Sequence, residues 1–491
     1  MSDEAILPNT PVLVGIGVTT RREDDPANAL EPIDLMLEAV RAAGADCGAP
    51  SLLGGVGSVA VPRGRWKYRN PSGEIARAIG ATGAATVVSS VGVLQQTLIA
   101  DACQAIADGT VESALVTGAD AGYRLLRARL AGGRAGERDQ DDEPDVRLEP
   151  KAELRHPAEV AAGLKMPVGL YAILESARRA VNGLSVDEHR DRLATRYARF
   201  AEIAAANPDG WTRTAPDAAA IRDNGPRNPM QAFPYTRAHC STWNVDQAAA
   251  LLFCSAARAA ALGIDRSRWV FPLASAESNH MVALSARADL IRSPGADAAA
   301  RAVLEAADIA AADIDLIDLY SCFPIAVETF ADALDLPRNR DLTFTGSMAF
   351  AGGPYNNYVF QATARAAQLL REGAGRTALT SCVSGILTKQ AFALWSTDPP
   401  PGGFMRRDVT EEVAAAASEV PVVEDFTGSG RIAGCTVLHA RGEAPRAVAL
   451  IDTDGGARAL AVSEVEGTIE GMQREEWVGR RVQIVSGRIA A

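Results

Sequence analysis

Residues 85–120 read ATVVSSVGVLQQTLIADACQAIADGTVESALVTGAD. Val87 and Val88 give a β-branched run, and Gly92 then lets the backbone turn sharply into a helix predicted from about Leu94 to Ala107. Leu98, Ile99, Ala100, Ala102, Cys103, Ala105 and Ile106 occupy most directions around that helix, so it is expected to be covered on all sides. Gly109 stops it, and Ser113 to Gly118 resumes as a buried strand. A strand, a tight turn and a buried helix leave free N–H groups at one spot, where an enzyme can hold a nucleophile or an oxyanion.

Working outward, Pro11 to Thr20 reads as a continuous apolar strand. A helix opened by Pro32 follows, with Ile33, Leu37, Val40 and Ala43 on one face. Val56 to Val61 reads as a second strand and Pro71 to Ile79 as a second helix. This alternation predicts an α/β unit with a parallel sheet covered on both faces. Arg124 to Glu153, dense in charge, reads as a solvated loop. Residues 166–183 and 186–209 read as amphipathic helices, the second capped by Ser185 with Glu188 three residues on. Thr212 to Asn244 reads as an irregular lid or pocket wall, Val245 to Ile264 as an Ala- and Leu-rich helix, and Trp269 to Ser275 as a strand.

A second α/β unit is predicted from helices at Pro294 to Ala307 and Ile325 to Leu334 around a strand at Asp315 to Leu319. Residues 351–385 then echo the opening stretch: glycine turn, alanine-rich helix, glycine stop, apolar strand. Such an echo implies two similar units facing each other, with ligands bound where their helix N-termini converge. Pro399 to Gly403 is a breaker, and beyond Pro421 four short alternating strands predict a small β-barrel of OB type.

The 491 residues carry 49 basic and 61 acidic side chains, a net charge of -12 that argues against nucleic acid as a partner. No apolar run reaches the roughly 20 residues of a membrane span, and the chain reads as cytoplasmic. Seven scattered cysteines form no disulfide framework. No G-x-S-x-G, P-loop, C-x-x-C or H-x-x-x-H spacing occurs, so hydrolase, NTPase and metal-site readings lack support. The lone Gly15-x-Gly17 reads as close strand packing, not as a dinucleotide fingerprint.

Several segments together resemble the thiolase superfamily, particularly its thiolase-like and lipid-transfer-protein-type acetyl-CoA acetyltransferases. Residues 245–264 resemble its alanine-rich N-D-G-A-A-A segment, 317–330 its N-E-A-F or H-D-C-F segment, 350–358 its G-H-P segment and 166–179 its loop-domain helix. The resemblance spans about Pro11 to Pro399. It implies a five-layered αβαβα fold: an N-terminal half from 1–122 and 245–285, a loop domain at 123–244, and a C-terminal half at 286–400. The barrel would follow at 405–491.

Thiolase chemistry uses a low-pKa cysteine, a histidine base, a second cysteine and an oxyanion hole. Here the C-x-S motif falls on Val91-Gly92-Val93, the histidine of G-H-P on Gly353, and the oxyanion residue on Tyr320. One residue of slack decides whether Cys382 or Val383 takes the second cysteine's place. The resemblance therefore implies a protein that binds CoA or acyl-CoA between its halves without ordinary thiolysis, with no covalently bound cofactor and no metal. Tyr320 and Cys382 are the candidate catalytic residues; Val91, Gly92, Phe323, Gly353 and His280 are the candidate substrate-binding ones. Tyr320 reads either as a proton-handling phenol in a CoA-thioester retro-aldolase or as pocket lining, and a non-catalytic interaction scaffold is a third reading. His239-Cys240 reads as packing, and Arg178 and Arg179 as solvated or facing a CoA phosphate. The chain is expected to be a homodimer, or a monomer if the barrel covers the dimer face.

Overall fold

The computed structural model describes residues 6–152 and 155–490. The first sheet is built from β1 (Pro11–Arg21), β2 (Ser58–Pro62), β3 (Ala85–Ser89), β4 (Ser113–Ala121) and a short β5 (Val146–Leu148). A loop domain holding β6 (Met230–Ala232) and β7 (Tyr235–Thr236) intervenes, and β8 (Asp246–Ser255) then completes the sheet in the order β1-β8-β4-β2-β3-β5. The second sheet runs β10-β11-β12-β9-β13, from β9 (Phe271–Ser278), β10 (Leu316–Asp318), β11 (Thr377–Ser384), β12 (Lys389–Ser396) and β13 (Met405–Asp408). Strands β2-β4-β8-β1 and β10-β11-β12-β9 repeat one pattern of a parallel pair followed by two antiparallel pairs. The halves predicted from the internal echo are therefore present.

Helix α1 (Pro32–Asp46) packs on the outer face of the first sheet, next to α2 (Pro71–Ala78), while α3 (Gln95–Ala107) touches strands of both sheets. Beyond α4 (Gly122–Leu130), the loop domain carries α5 (Pro157–Ala161), α6 (Pro167–Val181), α7 (Val186–Ala206) and α8 (Ala218–Arg222). After α9 (Ala256–Ala261), α10 (Pro294–Ala307) covers the second sheet from outside beside α11 (Pro324–Ala333), and α12 (Tyr358–Arg371) joins α3 between the sheets. This is the five-layered αβαβα arrangement. Ser185 and Glu188 form the expected capping box at the head of α7.

Three sequence expectations change. Residues 245–264 are not one helix: Asp246–Ser255 is β8, which lies between β1 and β4 with every residue buried, and only Ala256–Ala261 is helical. A strand covered on both faces needs no polar alternation, so its Ala- and Leu-rich composition imitates a buried helix. The charged segment 124–153, of which Glu153 lies outside the described residues, is not simply a solvated loop. Its first turns form α4, and Val146–Leu148 adds a parallel strand outside β3. Arg138 bonds Glu74 at 2.8 Å and Asp34 at 2.5 Å, and Asp145 accepts the Thr86 N–H at 2.8 Å. Finally, β9 belongs to the second sheet, and Met405–Asp408 pairs in parallel with it, so that sheet begins before residue 286 and runs beyond the Pro-rich breaker.

After α13 (Thr410–Ala416) and β14 (Val422–Val423), the C-terminal strands are β15 (Gly428–Leu438), β16 (Arg446–Thr453), β17 (Arg458–Ser463), β18 (Arg481–Val485) and β19 (Arg488–Ile489), with α14 (Glu466–Arg474) between β17 and β18. They close in the cycle β15-β16-β17-β19-β18-β15, a five-stranded OB-like barrel. The barrel leans on α6. A Cβ at Gly434 would stand 2.8 Å from the Ile173 carbonyl oxygen, so only glycine permits this approach. The Cys435 N–H donates to Ser176 Oγ at 2.8 Å, and Arg179 makes a two-pronged bond to Glu476 at 2.9 and 3.0 Å. Neither arginine predicted to be solvated or to face CoA is so placed, because Arg178 pairs with Asp332 at 2.5 Å.

Candidate functional site

A cleft of about 840 Å³ opens where the two halves and the loop domain meet. Val91, Gly92 and Val93 line it from the turn ahead of α3, Tyr355 and Asn356 from the turn ahead of α12, and Val383 to Ile386 from the end of β11. The first turns of both helices are joined, since Gln95 Oε1 accepts the Val359 N–H at 2.9 Å. Loop-domain residues Arg155, Pro157, Val160 and Pro167 form the remaining wall.

Glycine is needed at two of these turns. Gly92 has φ +104° and Gly352 has φ +112°, and a Cβ at Gly352 would fall 2.0 Å from Gln247 Oε1. The third turn is more unusual, because Gly385, Ile386 and Leu387 all have φ between +54° and +64°. A β-branched residue is strained there, and such strain persists only where the surroundings impose it. The constraints are visible: Lys389 Nζ and Ser384 Oγ both donate to the Gly92 carbonyl, and Arg287 donates to the Ile386 carbonyl.

The structure brings only some of the sequence candidates together. Val91 is 40% exposed and lines the cleft with Gly92 and Tyr320. Cys382 does not line it: alternation along β11 puts Val383 on the cleft wall and buries the Cys382 side chain. Burial pushes the Cys382 thiol up to about 12, so it is protonated and inert at ordinary pH. Phe323 lines a neighbouring pocket of about 260 Å³ with Cys240 and Trp243. His280 belongs to a separate pocket of about 280 Å³ beside Arg287 and the head of α10. Gly353 packs behind the cleft, where a Cβ would sit 3.1 Å from Ser241 Cβ. His239 is buried and bonds Thr236 through Nδ1, as expected of packing.

Tyr320 is 6% exposed, its N–H donates to Ser381 Oγ at 2.8 Å, and its ring meets Tyr358 edge-on at 5.5 Å. Tyr358 is held by Asp318, which also anchors Thr343 and Thr345. Burial raises the Tyr320 phenol well above its ordinary value. It therefore keeps its proton and can donate a hydrogen bond, but it cannot serve as a resting base. Sequence reasoning missed Lys389, Asn356 and Arg155. Asn356 lay within the quoted 350–358 segment, and its buried Nδ2 has no partner among the described residues. Burial lowers the Lys389 ammonium pKa.

No family model and no curated protein matches the chain. Among solved structures, the monomeric SCP2-thiolase-like protein type 1 from Mycobacterium smegmatis superposes with a TM-score of 0.82 at 27% identity, over 99% of this chain and 100% of that one. That match takes in both halves, the loop domain and the barrel. The chain has the thiolase-superfamily fold. Two further structures share this fold over the larger part of the chain. The Ltp2-ChsH2(DUF35) aldolase has a TM-score of 0.59 at 18% identity, over 79% of this chain and 98% of that one. Human mitochondrial 3-ketoacyl-CoA thiolase in complex with CoA has a TM-score of 0.55 at 16% identity, over 80% and 99%. Among the described residues, the thiolase-like protein has neither cysteine nor histidine on its cleft wall. No described helix is long and apolar enough to cross a membrane.

Proposed function

We propose that this protein binds CoA or an acyl-CoA thioester in the cleft between its halves and does not form an acyl-enzyme. The observation that carries this reading is Val91, an exposed valine on the turn ahead of α3, where the family resemblance calls for the nucleophilic cysteine. An alkyl side chain cannot be acylated. Gly353 stands where the histidine base would be, and its position behind the cleft leaves little room for one. The human thiolase solved with CoA supports the ligand class. Calorimetric titration with CoA and acetyl-CoA tests the reading: saturable binding without thiolytic turnover is expected, and no binding of either, or turnover, overturns it.

A second reading is favoured by Tyr320 on the same wall and by the aldolase among the similar structures. In it, the Cα–Cβ bond of a 3-hydroxyacyl thioester breaks, its electron pair passes into a thioester enolate whose oxygen the phenol hydrogen-bonds, the β-hydroxyl loses its proton as it becomes a carbonyl, and a proton returns to Cα. No covalent enzyme intermediate is required. Loss of lyase turnover in Tyr320→Phe with CoA affinity retained would support this reading, and full turnover in that variant would remove it. We also propose a monomer in solution, in keeping with the monomeric Mycobacterium protein and with β5 covering the outer edge of β3. A dimer by light scattering would overturn that assignment. Cytoplasmic placement stays within this proposal and is tested by fractionation.

A further inference from the structure

The cleft adjoins two further spaces. A space of about 920 Å³ lies at the seam between the α5–α6 connection and the hairpin joining β15 to β16. It shares Val160 with the cleft. It also shares Met166, Val168 and Gln231 with the Phe323 pocket, which in turn shares Pro167 with the cleft. The three spaces lie side by side in a run around residues 157–169, with apolar Val91, Val93 and Val383 at one end and the barrel at the other.

The run is fixed rather than a gap between loose parts. A Cβ at Gly169 would meet Leu438 Cδ2 at 2.8 Å, so α6 and β15 are in close contact beside the seam. The His439 N–H donates to the Gln231 carbonyl at 3.0 Å, and the Phe233 N–H to the Val437 carbonyl at 2.9 Å, tying loop domain and barrel together along its floor. The walls that would hold a ligand are therefore already in position, which lowers the ordering cost of binding.

The charge along the run is opposite to that of the chain. Lys165, Arg441 and Arg446 line the seam, Arg237 the middle pocket and Arg155 the cleft, against two carboxylates, Glu443 and Glu464. Arg446 is paired with Glu464 at 3.0 Å, while no described carboxylate lies in salt-bridge range of the other four cations. In a protein with a net charge of -12, this is a local seat for an anion. A ligand filling the whole run would be long, with an acyl or thiol end suited to the valine-lined cleft and a multiply charged anionic end suited to the seam.

We propose that the β15–β16 hairpin of the barrel, together with Lys165 of the loop domain, seats the phosphate-bearing nucleotide end of a CoA thioester. The pantetheine arm then passes Val160 and Met166 toward Val91. This rests on the reading of the cleft as a CoA site. It gives the barrel a ligand-binding task, because Arg441 and Arg446 supply two of the three cations at the seam.

The test is calorimetry of CoA on the full-length protein and on the double variant Lys165→Glu/Arg441→Glu. Both side chains are exposed, so the fold is expected to survive. Arg407→Glu, an exposed cation away from the run, is the control. Affinity at low salt should fall at least tenfold in the double variant and stay within twofold in the control, and adenosine 3′,5′-bisphosphate should compete with CoA. Unchanged affinity in the double variant, an equal loss in the control, or no competition by the bisphosphate overturns the seam assignment while leaving the cleft reading intact. Failure of CoA to bind the unaltered protein overturns the cleft reading itself, and the seam assignment with it.

Discussion

The Lys389 side chain from the second sheet donates its hydrogen bond to the Gly92 carbonyl of the first half, so one buried amine holds the two turns that face each other across the cleft. Ser384 donates to the same carbonyl at 3.4 Å. Lys389→Met should remove this tie while keeping the volume of the stem, at a cost of about 1–3 kcal/mol in urea unfolding. The strained Ile386 turn should relax with it, so CoA affinity is expected to fall more than stability alone accounts for. A variant with unchanged unfolding midpoint would show that the bond carries no load.

Val91→Cys tests the cleft directly. The valine is 40% exposed, whereas burial pushes the thiols of Cys322 and Cys382 up to about 12. The new cysteine should therefore be the first to react with a disulfide reagent, and CoA should protect it. It should not restore thiolysis, because no histidine lines the cleft among the described residues. If the new thiol reacts no faster than the native ones, Val91 does not face the cleft in solution.

Glu476→Ala should loosen the barrel from α6. Arg179 is almost wholly buried, and losing its carboxylate would leave a guanidinium without its partner. Glu476 is partly exposed, which moderates the effect to about 2–3 kcal/mol. Limited proteolysis between the second sheet and the barrel should accelerate, and unaltered cleavage would argue that glycine-mediated packing alone secures the barrel.

Stability should decline on both sides of neutral pH. On the alkaline side, burial raises all seven cysteine thiols above the ordinary 9.0, five of them to about 12. Above pH 9 the unfolded chain releases protons that the folded one keeps, so stability is full below 9 and is lost as pH climbs toward 12. On the acid side, burial lowers His239 from 6.5 to about 3. Between those values the unfolded chain binds the extra proton, so stability falls as pH drops from 6.5 toward 3. Melting temperatures across pH 4 to 11 should trace both limbs, and His239→Gln should flatten the acid one.

The parts of this fold that were legible in the sequence are those where local chemistry is decisive. Gly92 ahead of an all-round apolar helix and Ser185 with Glu188 each read the same way in one dimension and in three. The alanine-rich strand β8 was not legible, because a strand buried on both faces has no alternation to betray it. The site was half legible. Val91 and Tyr320 came from motif positions, but Arg155 reaches the cleft, and Lys389 the Gly92 turn beside it, only through a loop-domain fold and a hairpin that no local pattern announces. The sequence left one position open between Cys382 and Val383, and on a strand one residue is the difference between the wall and the core.

The arm that lays β5 along β3 is fastened largely by charge: Arg138 to Asp34 and Glu74, Arg77 to Asp142, and Arg69 to Glu143. Such pairs weaken as the Debye length shrinks from about 10 Å at 0.1 M salt to about 3 Å at 1 M. Strong brine should therefore peel the arm from the sheet and bare the ladder edge of β3, ready for another chain. If the chain is single in dilute buffer, as proposed, it should begin to pair as salt rises, which light scattering at 0.1 M and 1 M salt would show.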